Sequence, residues 1–413
     1  MTTADRVTGL AAELDLRLAA ADGQLSTAYP GEPSGRQPVH TVYVPADRYT
    51  EDTVPSWGRE ARAVLAGHGR TAHELADALG LPPRTAVEVY DRVRAKLERE
   101  PVEDLRIDFE DGYGNRPDTE EDAAVQAAAK ALATATADGR GSPFCGLRFK
   151  GFEAPTRRRG LRTLALFLEH LGPLPDGFVV TLPKVTSVDQ VEAMVLTAER
   201  LEPWYGLEPG SLRFEIQVET PQAILGADGT APVARMVHAS AGRCTGLHYG
   251  TYDYSAALGV SAAHQSLEHP VADHAKAVMQ VAAAGTGVRV CDGSTNVLPV
   301  GGSEAVHAAW RLHARLVRRS LEGGIHQGWD LHPGQLPSRY AAVYAFFREG
   351  LPAAAARLRS YRERADSGFL DEPATARAMA GFLLRGLDCG AIDAAEVHTL
   401  VGIDPPALRS LTR

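Results

Sequence analysis

The chain of 413 residues contains only four cysteines, Cys145, Cys244, Cys291 and Cys389, and they lie far apart in the sequence. No Cys-x-x-Cys pair occurs, which argues against a structural zinc site, and the wide spacing argues against a disulfide framework. Three of the four, at positions 145, 244 and 291, lie in apolar segments, where a thiol commonly serves as a small core residue. We therefore expect free cysteines and a reducing, cytoplasmic location.

Long hydrophobic runs are also absent. No apolar stretch approaches the roughly 20 residues that a membrane-spanning helix needs. The first residues, "MTTADRVTGLAAELDLRL", contain no apolar segment of the kind found in signal peptides. We expect neither a secretion signal nor a membrane partner.

The chain has little positive charge for its size. Its 43 Lys and Arg residues face 52 Asp and Glu residues, a formal net charge of -9. This balance argues against nucleic acid as the main partner, because such proteins usually present a basic face. Residues 71–98 resemble a helix–turn–helix, with "LGLPPRT" as the turn. Their charges are balanced, so a helical insertion packed on the rest of the chain is favoured over a DNA-binding module.

What the sequence does contain is an alternation of short β-branched segments with helical ones. The strand candidates are 40–45, 105–110, 145–152, 177–185, 212–219, 244–250, 287–293 and 324–333. From the second onward they start roughly 30–45 residues apart, as strand–helix units do. Eight successive units predict an α/β fold of the (β/α)8 TIM-barrel type.

The predicted barrel occupies residues 39–336 and carries a helical insertion, residues 46–104, after its first strand. Residues 1–38 are predicted to form an N-terminal helix and a linker. Residues 337–413 are predicted to form a helical C-terminal arm or lid.

Three of the predicted strands, in residues 105–110, 147–150 and 213–219, alternate apolar with charged or polar side chains. Strand side chains point alternately to the two faces, so the polar ones would point into the barrel. Buried charges are costly unless they are paired or bind a metal. A charged substrate or a cation in the barrel mouth would explain them. Internal salt bridges without a ligand, or a solvated two-faced sheet, are the alternatives.

Two carboxylates end neighbouring strands. Glu219 ends the fifth in "QVETPQAIL", and Asp253 follows the sixth in "HYGTYDYSAALG". Active sites of TIM barrels lie at these strand ends, and two carboxylates with water make a normal Mg²⁺ site. A surface position for Glu219 and a helix cap for Asp253 are the alternatives. Arg148 ends the third strand. Its planar guanidinium would suit a substrate carboxylate, and an ion pair with Asp108 or Glu110 is the alternative.

Segments at seven of the eight strands also occur in a recognisable order. They read "YVPADRY", "DFEDGYG", "LRFKGF", "LPKV", "VETPQAIL", "YGTYDYSAALG" and, at strand eight, "GWDLHPGQL". In this order they resemble the HpcH/HpaI aldolase and citrate lyase β-subunit superfamily, over about residues 40–336. The resemblance implies a phosphoenolpyruvate/pyruvate-type TIM barrel and a homo-oligomer.

The resemblance also implies roles for individual residues. Glu219 and Asp253 match the Mg²⁺ (or Mn²⁺) ligands, and Arg148 matches the arginine that holds the carboxylate end of the substrate. Glu110 and Asp111 match an acidic pair at the edge of the metal's water shell. Residues 332–335, "HPGQ", match a motif expected to be structural at the barrel closure.

The sequence departs from the family pattern in three places besides the long insertion. Lys150 stands where the citrate lyase branch usually has Asn, strand six ends in "TYDYS" rather than "DL", and residues 219–255 also resemble malate synthase. The function implied is a Mg²⁺-dependent carbon–carbon lyase or aldolase. It would act on a 2-oxo or 2-hydroxy acid, or on a CoA thioester, through a metal-stabilised enolate. A malate-synthase-like Claisen condensation of an acyl-CoA with an oxo acid is the alternative, and an inactive scaffold a remote one.

The residues leave the general base open. The candidates are Asp108, Glu110, Asp111, Lys184, His248 and a C-terminal Asp from a neighbouring subunit. Lys150 is placed beside Arg148 at the mouth. The basic run "TRRRGLR", residues 156–162, would suit the phosphates of CoA, although a solvated helix start is favoured for it.

Overall fold

Eight parallel strands form the centre of the computed structural model, which describes residues 2–33, 35–363 and 372–412. Neighbouring strands pair in the order β7-β6-β5-β4-β3-β2-β1-β8, and a parallel bridge between Cys291 and Gln327 joins β7 to β8. The strands are β1 (His40–Pro45), β2 (Asp104–Asp108), β3 (Phe144–Arg148), β4 (Phe178–Leu182), β5 (Arg213–Val218), β6 (Cys244–Tyr249), β7 (Arg289–Cys291) and β8 (Gly328–Asp330). The predicted TIM barrel is confirmed.

Helices surround the barrel and also occur among the described residues of the three regions predicted to be helical. Before β1 lies α1 (Thr3–Ala28), and between β1 and β2 lie α2 (Thr53–His68), α3 (Ala72–Leu79) and α4 (Pro83–Arg99). The strand connections hold α5 (Asp118–Ala137), α6 (Arg157–Leu171), α7 (Val188–Trp204), α8 (Pro221–Ile224), α9 (Pro232–Ala239), α10 (Thr251–Ala257), α11 (Pro270–Ala283) and α12 (Ser303–Glu322). After β8 come α13 (Leu336–Glu363), α14 (Pro373–Cys389), α15 (Ala394–Val401) and α16 (Pro405–Ser410).

The strands are shorter at their carboxyl ends than the sequence pattern predicts. β2 ends at Asp108, so Glu110 lies in the following loop and not on the strand. The reason is local: the Asp108 carboxylate accepts hydrogen bonds from the backbone N–H groups of Glu110 and Gly112, which turns the chain. Alternation of faces therefore stops at Asp108.

The outward-facing side chains of the strands are apolar and fully buried against the helices, as the period of two predicts. Ile107, Leu147, Val180 and Ile216 are examples. The four cysteines are also free and buried, as expected. Among the described residues, no helix is both long enough and apolar enough to cross a membrane.

The segment that resembles a helix–turn–helix is a packed helical hairpin. α3 ends at Gly80, which adopts a left-handed conformation with φ 70°, and α4 packs against α3, α2 and α13. Two basic residues of α4 are engaged within the chain: Arg92 pairs with Asp393, and buried Lys96 pairs with Glu103. The hairpin thus joins the C-terminal helices to the barrel. That those helices form an arm or lid toward another subunit stays a prediction.

A buried carboxylate on the outer side of β8 fastens α12 and α13 to the barrel. Asp330 lies 2.8 Å from His40 Nδ1, 3.0 Å from His313 Nε2 and 2.8 Å from Arg339 Nη2. Burial alone would raise the pKa of Asp330, but Arg339 and the two histidines hold that pKa well below its usual range.

The lower layer of the barrel interior is a closed network of charges. Arg106 donates to both oxygens of Glu215, at 3.0 and 2.7 Å, and to Asp104. Trp329 Nε1 donates to His248 Nδ1, so the other ring nitrogen of His248 carries the proton and donates to Glu215 at 3.0 Å. In this layer the interpretation as internal salt bridges is correct.

This network yields a stability prediction. Replacing Arg106 by Met should lower the free energy of unfolding by about 3–5 kcal/mol, because Asp104 and Glu215 would remain buried without their shared cation. Arg213→Met, at the exposed first residue of β5, is the matched control and should change it by less than about 0.5 kcal/mol. Denaturant titration measures both. Equal effects of the two substitutions would contradict the assignment.

Candidate active site

Three carboxylates meet at the carboxyl-terminal mouth of the barrel. Asp111 lies in the loop after β2, Glu219 directly follows β5, and Asp253 lies in the first turn of α10, after β6. One oxygen of each lies within 4.8 Å of one oxygen of the others. Glu219 and Asp253 therefore converge as their positions on adjacent strands predict, and Asp111 joins them.

The close approach of Glu219 to the end of β6 depends on a glycine. A Cβ added to Gly250 would lie 2.4 Å from Glu219 Cβ and 2.9 Å from its Oε2, far inside contact distance. Any larger residue at this position would push Glu219 away from its place at the mouth.

Lys184 carries the positive charge at the centre of these acids. Its ammonium lies 2.7 Å from Asp253, 3.0 Å from Asp111, 3.4 Å from Glu219 and 3.5 Å from Glu110. Its backbone adopts the left-handed region, with φ 53°, and its own N–H donates to Glu219 Oε1 at 2.7 Å. This conformation is uncommon for a residue other than glycine and is typical of functional sites.

The cluster holds more negative than positive charge. Burial, together with the carboxylates of Glu110 and Asp253, raises the pKa of Glu219 to about 8. Burial and the neighbouring Asp111 raise the pKa of Glu110 to about 7, although Arg148 opposes the shift. Clustered carboxylate oxygens that lack sufficient positive charge are the donor set that Mg²⁺ prefers. Asp111, Glu219 and Asp253 fit a divalent cation in their number, chemistry and spacing.

Arg148 lies beside this cluster and is held rigidly. Its Nε and Nη2 donate to the two oxygens of Asp108, each at 2.7 Å, and its Nη1 donates to Gln217 at 3.2 Å. Nη1 also lies 3.3 Å from Glu110 Oε2. Three of the five N–H groups of Arg148 are thus used by protein acceptors, and one N–H on each of Nη1 and Nη2 makes no hydrogen bond among the described residues.

Two residues that the sequence interpretation did not select complete the floor of the site. Gln217 Nε2 donates to Glu219 Oε2 at 2.5 Å and so links Arg148 to the carboxylate cluster. The ring of Tyr43 lies under the Arg148 guanidinium, 4.9 Å away. The Tyr43 hydroxyl is buried and has no hydrogen-bond partner among the described residues. The alternation of inward-pointing and outward-pointing residues along β1 and β5 could have identified both Tyr43 and Gln217.

Lys150 lies outside the cluster. Its ammonium donates to Glu121 of α5 at 2.7 Å and to the carbonyl of Phe109 at 2.8 Å. Glu121 also accepts from Thr163 of α6, so the pair ties the loops after β2 and β3 to their helices. Lys150 is two residues beyond the end of β3, where the alternation of faces no longer determines its direction.

Two candidate general bases are fully engaged. Asp108 uses both oxygens to hold Arg148 and the turn that follows β2. His248 lies one layer below, with Trp329 on one ring nitrogen and Glu215 on the other. Neither is free to accept a proton from a substrate at the mouth.

The basic run after β3 is also occupied. Arg159 and Arg162 both donate to Asp122 of α5, at 2.7 and 2.6 Å, and Arg157 donates to the carbonyl of Phe152. These contacts favour the interpretation of residues 156–162 as the start of α6 over that of a phosphate-binding patch.

The "HPGQ" segment closes the barrel beside β7. Gln335 accepts from the backbone N–H groups of Leu331 and His332, and its amide donates to the carbonyl of Thr295 in the loop after β7. Its contacts are structural, as expected.

The family model that matches this chain is DUF6986, a domain of unknown function, and the match covers residues 18–413. This chain belongs to the DUF6986 family. No curated protein matches it.

Solved structures with a similar fold belong to two groups of enzymes. The CitE protein of Mycobacterium tuberculosis is 20% identical to the DUF6986 chain, with a TM-score of 0.48 over 87% of this chain and 100% of its own. Haloferax volcanii malate synthase is 15% identical, with a TM-score of 0.48 over 91% and 97%. An HpcH/HpaI aldolase/citrate lyase family protein from Burkholderia cenocepacia is 15% identical, with a TM-score of 0.41 over 77% and 95%.

The glycine beside Glu219 provides a test of the site's construction. Gly250→Ala should destabilise the protein by about 1–3 kcal/mol, because the new methyl group cannot be accommodated without moving Glu219. Gly246→Ala, on β6 four residues earlier, is the control, since a Cβ there would meet its nearest neighbour at an ordinary 3.4 Å. Thermal or denaturant unfolding distinguishes the two. A Gly250→Ala protein as stable as the Gly246→Ala protein would show that the approach is not tight.

Proposed function

We propose that this protein is a Mg²⁺-dependent carbon–carbon lyase or aldolase that acts on a 2-oxo or 2-hydroxy acid. The observation that carries the proposal is the convergence of Asp111, Glu219 and Asp253 beside Arg148 at the barrel mouth. Such a site offers oxygen ligands for a cation and, next to them, a guanidinium for an anionic substrate.

Glu219 and Asp253 would hold the cation, and Asp111 would contact it directly or through water. Mg²⁺ bound there would polarise the carbonyl oxygen of the substrate and favour negative charge on it. Lys184 Nζ lies among the same carboxylate oxygens, so the ammonium must move when the cation binds. The freed ammonium would remain within reach of a substrate anion.

Arg148 would orient the substrate carboxylate through its remaining N–H groups. Asp108 and Gln217 fix the plane of the guanidinium, so little side-chain entropy is lost when a ligand binds. The Tyr43 ring, 4.9 Å from the guanidinium, holds it from the other side. Charges and dipoles fixed in this way stabilise negative charge that develops during bond cleavage.

Glu110 is the residue best placed to move a proton. Its Oε2 has no hydrogen bond among the described residues, and it faces Arg148 and Lys184 from the loop after β2. The other candidates within the chain are less suitable. Asp108 and His248 are fully hydrogen-bonded, Lys184 is an ammonium, and Asp111 is assigned above to the cation or its water. Glu110 would take up the proton that carbon–carbon cleavage releases or return it to the product.

The substrate remains to be found by screening. Crystals of the M. tuberculosis protein contain magnesium, acetoacetate and coenzyme A, and those of H. volcanii malate synthase contain magnesium and glyoxylate. We propose pyruvate, glyoxylate, oxaloacetate and their acyl-CoA partners as the first compounds to test. The malate-synthase-like condensation would use the same metal site and the same Arg148, so one screen run in both directions covers both reactions.

The metal assignment predicts the effect of removing a ligand. In calorimetric titration with Mg²⁺, Glu219→Gln and Asp253→Asn should each weaken binding at least about 10-fold, because each removes a charged oxygen donor. Glu192→Gln, at an exposed position of α7, is the control and should leave the affinity unchanged. Unchanged affinity in both site variants would rule out this metal site.

The role of Arg148 gives a second prediction. With Mg²⁺ present, Arg148→Lys should weaken the binding of the oxo acid identified by the screen at least about 10-fold, because lysine keeps the charge and loses the planar fork. Mg²⁺ binding without substrate should change far less. A variant that binds the oxo acid as tightly as the native protein would remove Arg148 from the proposed substrate site.

A further inference from the structure

The N-terminal helix α1 buries none of its side chains against the described residues of its own chain. All 25 residues from Thr3 to Thr27 are exposed, and the helix buries no side chain. Five of the exposed residues on it are leucines, at positions 10, 14, 16, 18 and 25. A helix that packs on nothing lacks the packing of an apolar face, from which helices in proteins gain most of their stability. Gly9 and Gly23 weaken it further.

The apolar residues of α1 follow a heptad pattern. Counted with Ala4 as position a, the a positions are Ala4, Ala11, Leu18 and Leu25, and the d positions are Val7, Leu14, Ala21 and Ala28. All eight are apolar, and they form one stripe along the helix. This period of 3.5 is the pattern of a helix that supercoils with another helix. The two glycines and Leu16 lie at position f, on the side opposite the stripe.

The charges that flank the stripe match those of an identical helix running parallel to it. Arg17 is at position g and Asp22 at the following position e, five residues later. In a parallel two-stranded coiled coil, position g of one helix faces this position e of the other, so Arg17 of each copy would pair with Asp22 of the other. In an antiparallel pair the e positions face each other, and Asp15 and Asp22 of one helix would face the same aspartates of the other.

The helix leaves the barrel at the end opposite the candidate active site. The N–H of Gly31 donates to the carbonyl of Gly285, just before β7, at 2.8 Å. Tyr29 packs edge-on against His238, before β6, with ring centres 5.3 Å apart. Both contacts lie at the amino-terminal ends of the strands. A second chain could therefore bind α1 without covering the carboxylate cluster.

We propose that α1 is a self-association element that binds α1 of a second copy of this chain as a parallel two-stranded coiled coil. The stripe of a and d residues forms the contact, and Arg17 and Asp22 set the direction. This inference does not depend on the proposed enzymatic function.

Disulfide trapping tests the contact and its direction together. Ala21→Cys places a thiol at position d, where the two copies face each other only in a parallel pair, whereas residue 21 would lie across from the region of residue 10 in an antiparallel one. The four native cysteines are buried, so the introduced thiol is the accessible one. Mild oxidation should convert most of the Ala21→Cys protein into a disulfide-linked dimer. Leu16→Cys, at position f, is the control and should form little.

A charged residue in the stripe should abolish the contact. Leu18→Glu should weaken self-association through α1 about 100-fold or more, since each copy would bury a carboxylate in place of a leucine. The double variant Leu18→Glu with Ala21→Cys should then give no disulfide-linked dimer. Leu16→Glu is the matched control, because Leu16 is the most exposed of the leucines, at 84%, and lies away from the stripe. Sedimentation over a dilution series measures association in all of them.

The ion pair gives a test of orientation that requires no cysteine. Arg17→Glu and Asp22→Arg should each weaken association about 3-fold or more, and the double exchange should restore it. Absence of a disulfide in the Ala21→Cys protein, or equal sedimentation of the Leu18→Glu and Leu16→Glu proteins, would overturn the proposal.

Discussion

A shortage of positive charge at one end of the barrel determines how the site is built. Four carboxylates, Glu110, Asp111, Glu219 and Asp253, surround the single ammonium of Lys184. Carboxylates at this spacing repel one another, and burial raises the pKa of Glu219 to about 8 and that of Glu110 to about 7. A divalent cation would relieve this repulsion, which gives the site a physical reason to bind one. The neighbouring Arg148 relieves it only in part, because Asp108 and Gln217 already accept hydrogen bonds from its guanidinium.

The barrel interior has two polar layers, which differ in whether their polar groups have partners within the protein. In the lower layer Arg106, Asp104, Glu215 and His248 satisfy one another, so the layer supports the fold without a ligand. In the upper layer, the Tyr43 hydroxyl and one oxygen of Glu110 have no hydrogen-bond partner in the described part of the chain. Polar groups that lack partners at an open mouth are what a polar ligand can bind, whereas a completed network is stable without one.

The fold and part of the site could be predicted from the sequence. Why a given site residue could or could not be placed differs from residue to residue. Glu219 and Asp253 could be placed together because the carboxyl ends of parallel strands meet at one end of a barrel. Asp111 could be placed only near them, because it lies in a loop after β2, where the alternation of side chains between two faces no longer predicts their direction. The predicted direction of Lys150, toward the mouth, was wrong. Lys150 lies past the last paired residue of β3, and its ammonium contacts Glu121, which is distant in the sequence. The central position of Lys184 depends on a left-handed backbone conformation that no pattern of residue types indicates.

We propose that a divalent cation binds between Glu219 and Asp253 and takes the place of the Lys184 ammonium. The most direct measurement is an anomalous difference map from crystals of this protein soaked in Mn²⁺, beside a metal-free data set. We expect one strong peak within bonding distance of a Glu219 oxygen and an Asp253 oxygen, with Lys184 Nζ moved away from both. A map without a peak at these carboxylates, or a peak that leaves the ammonium in its present position, would contradict it.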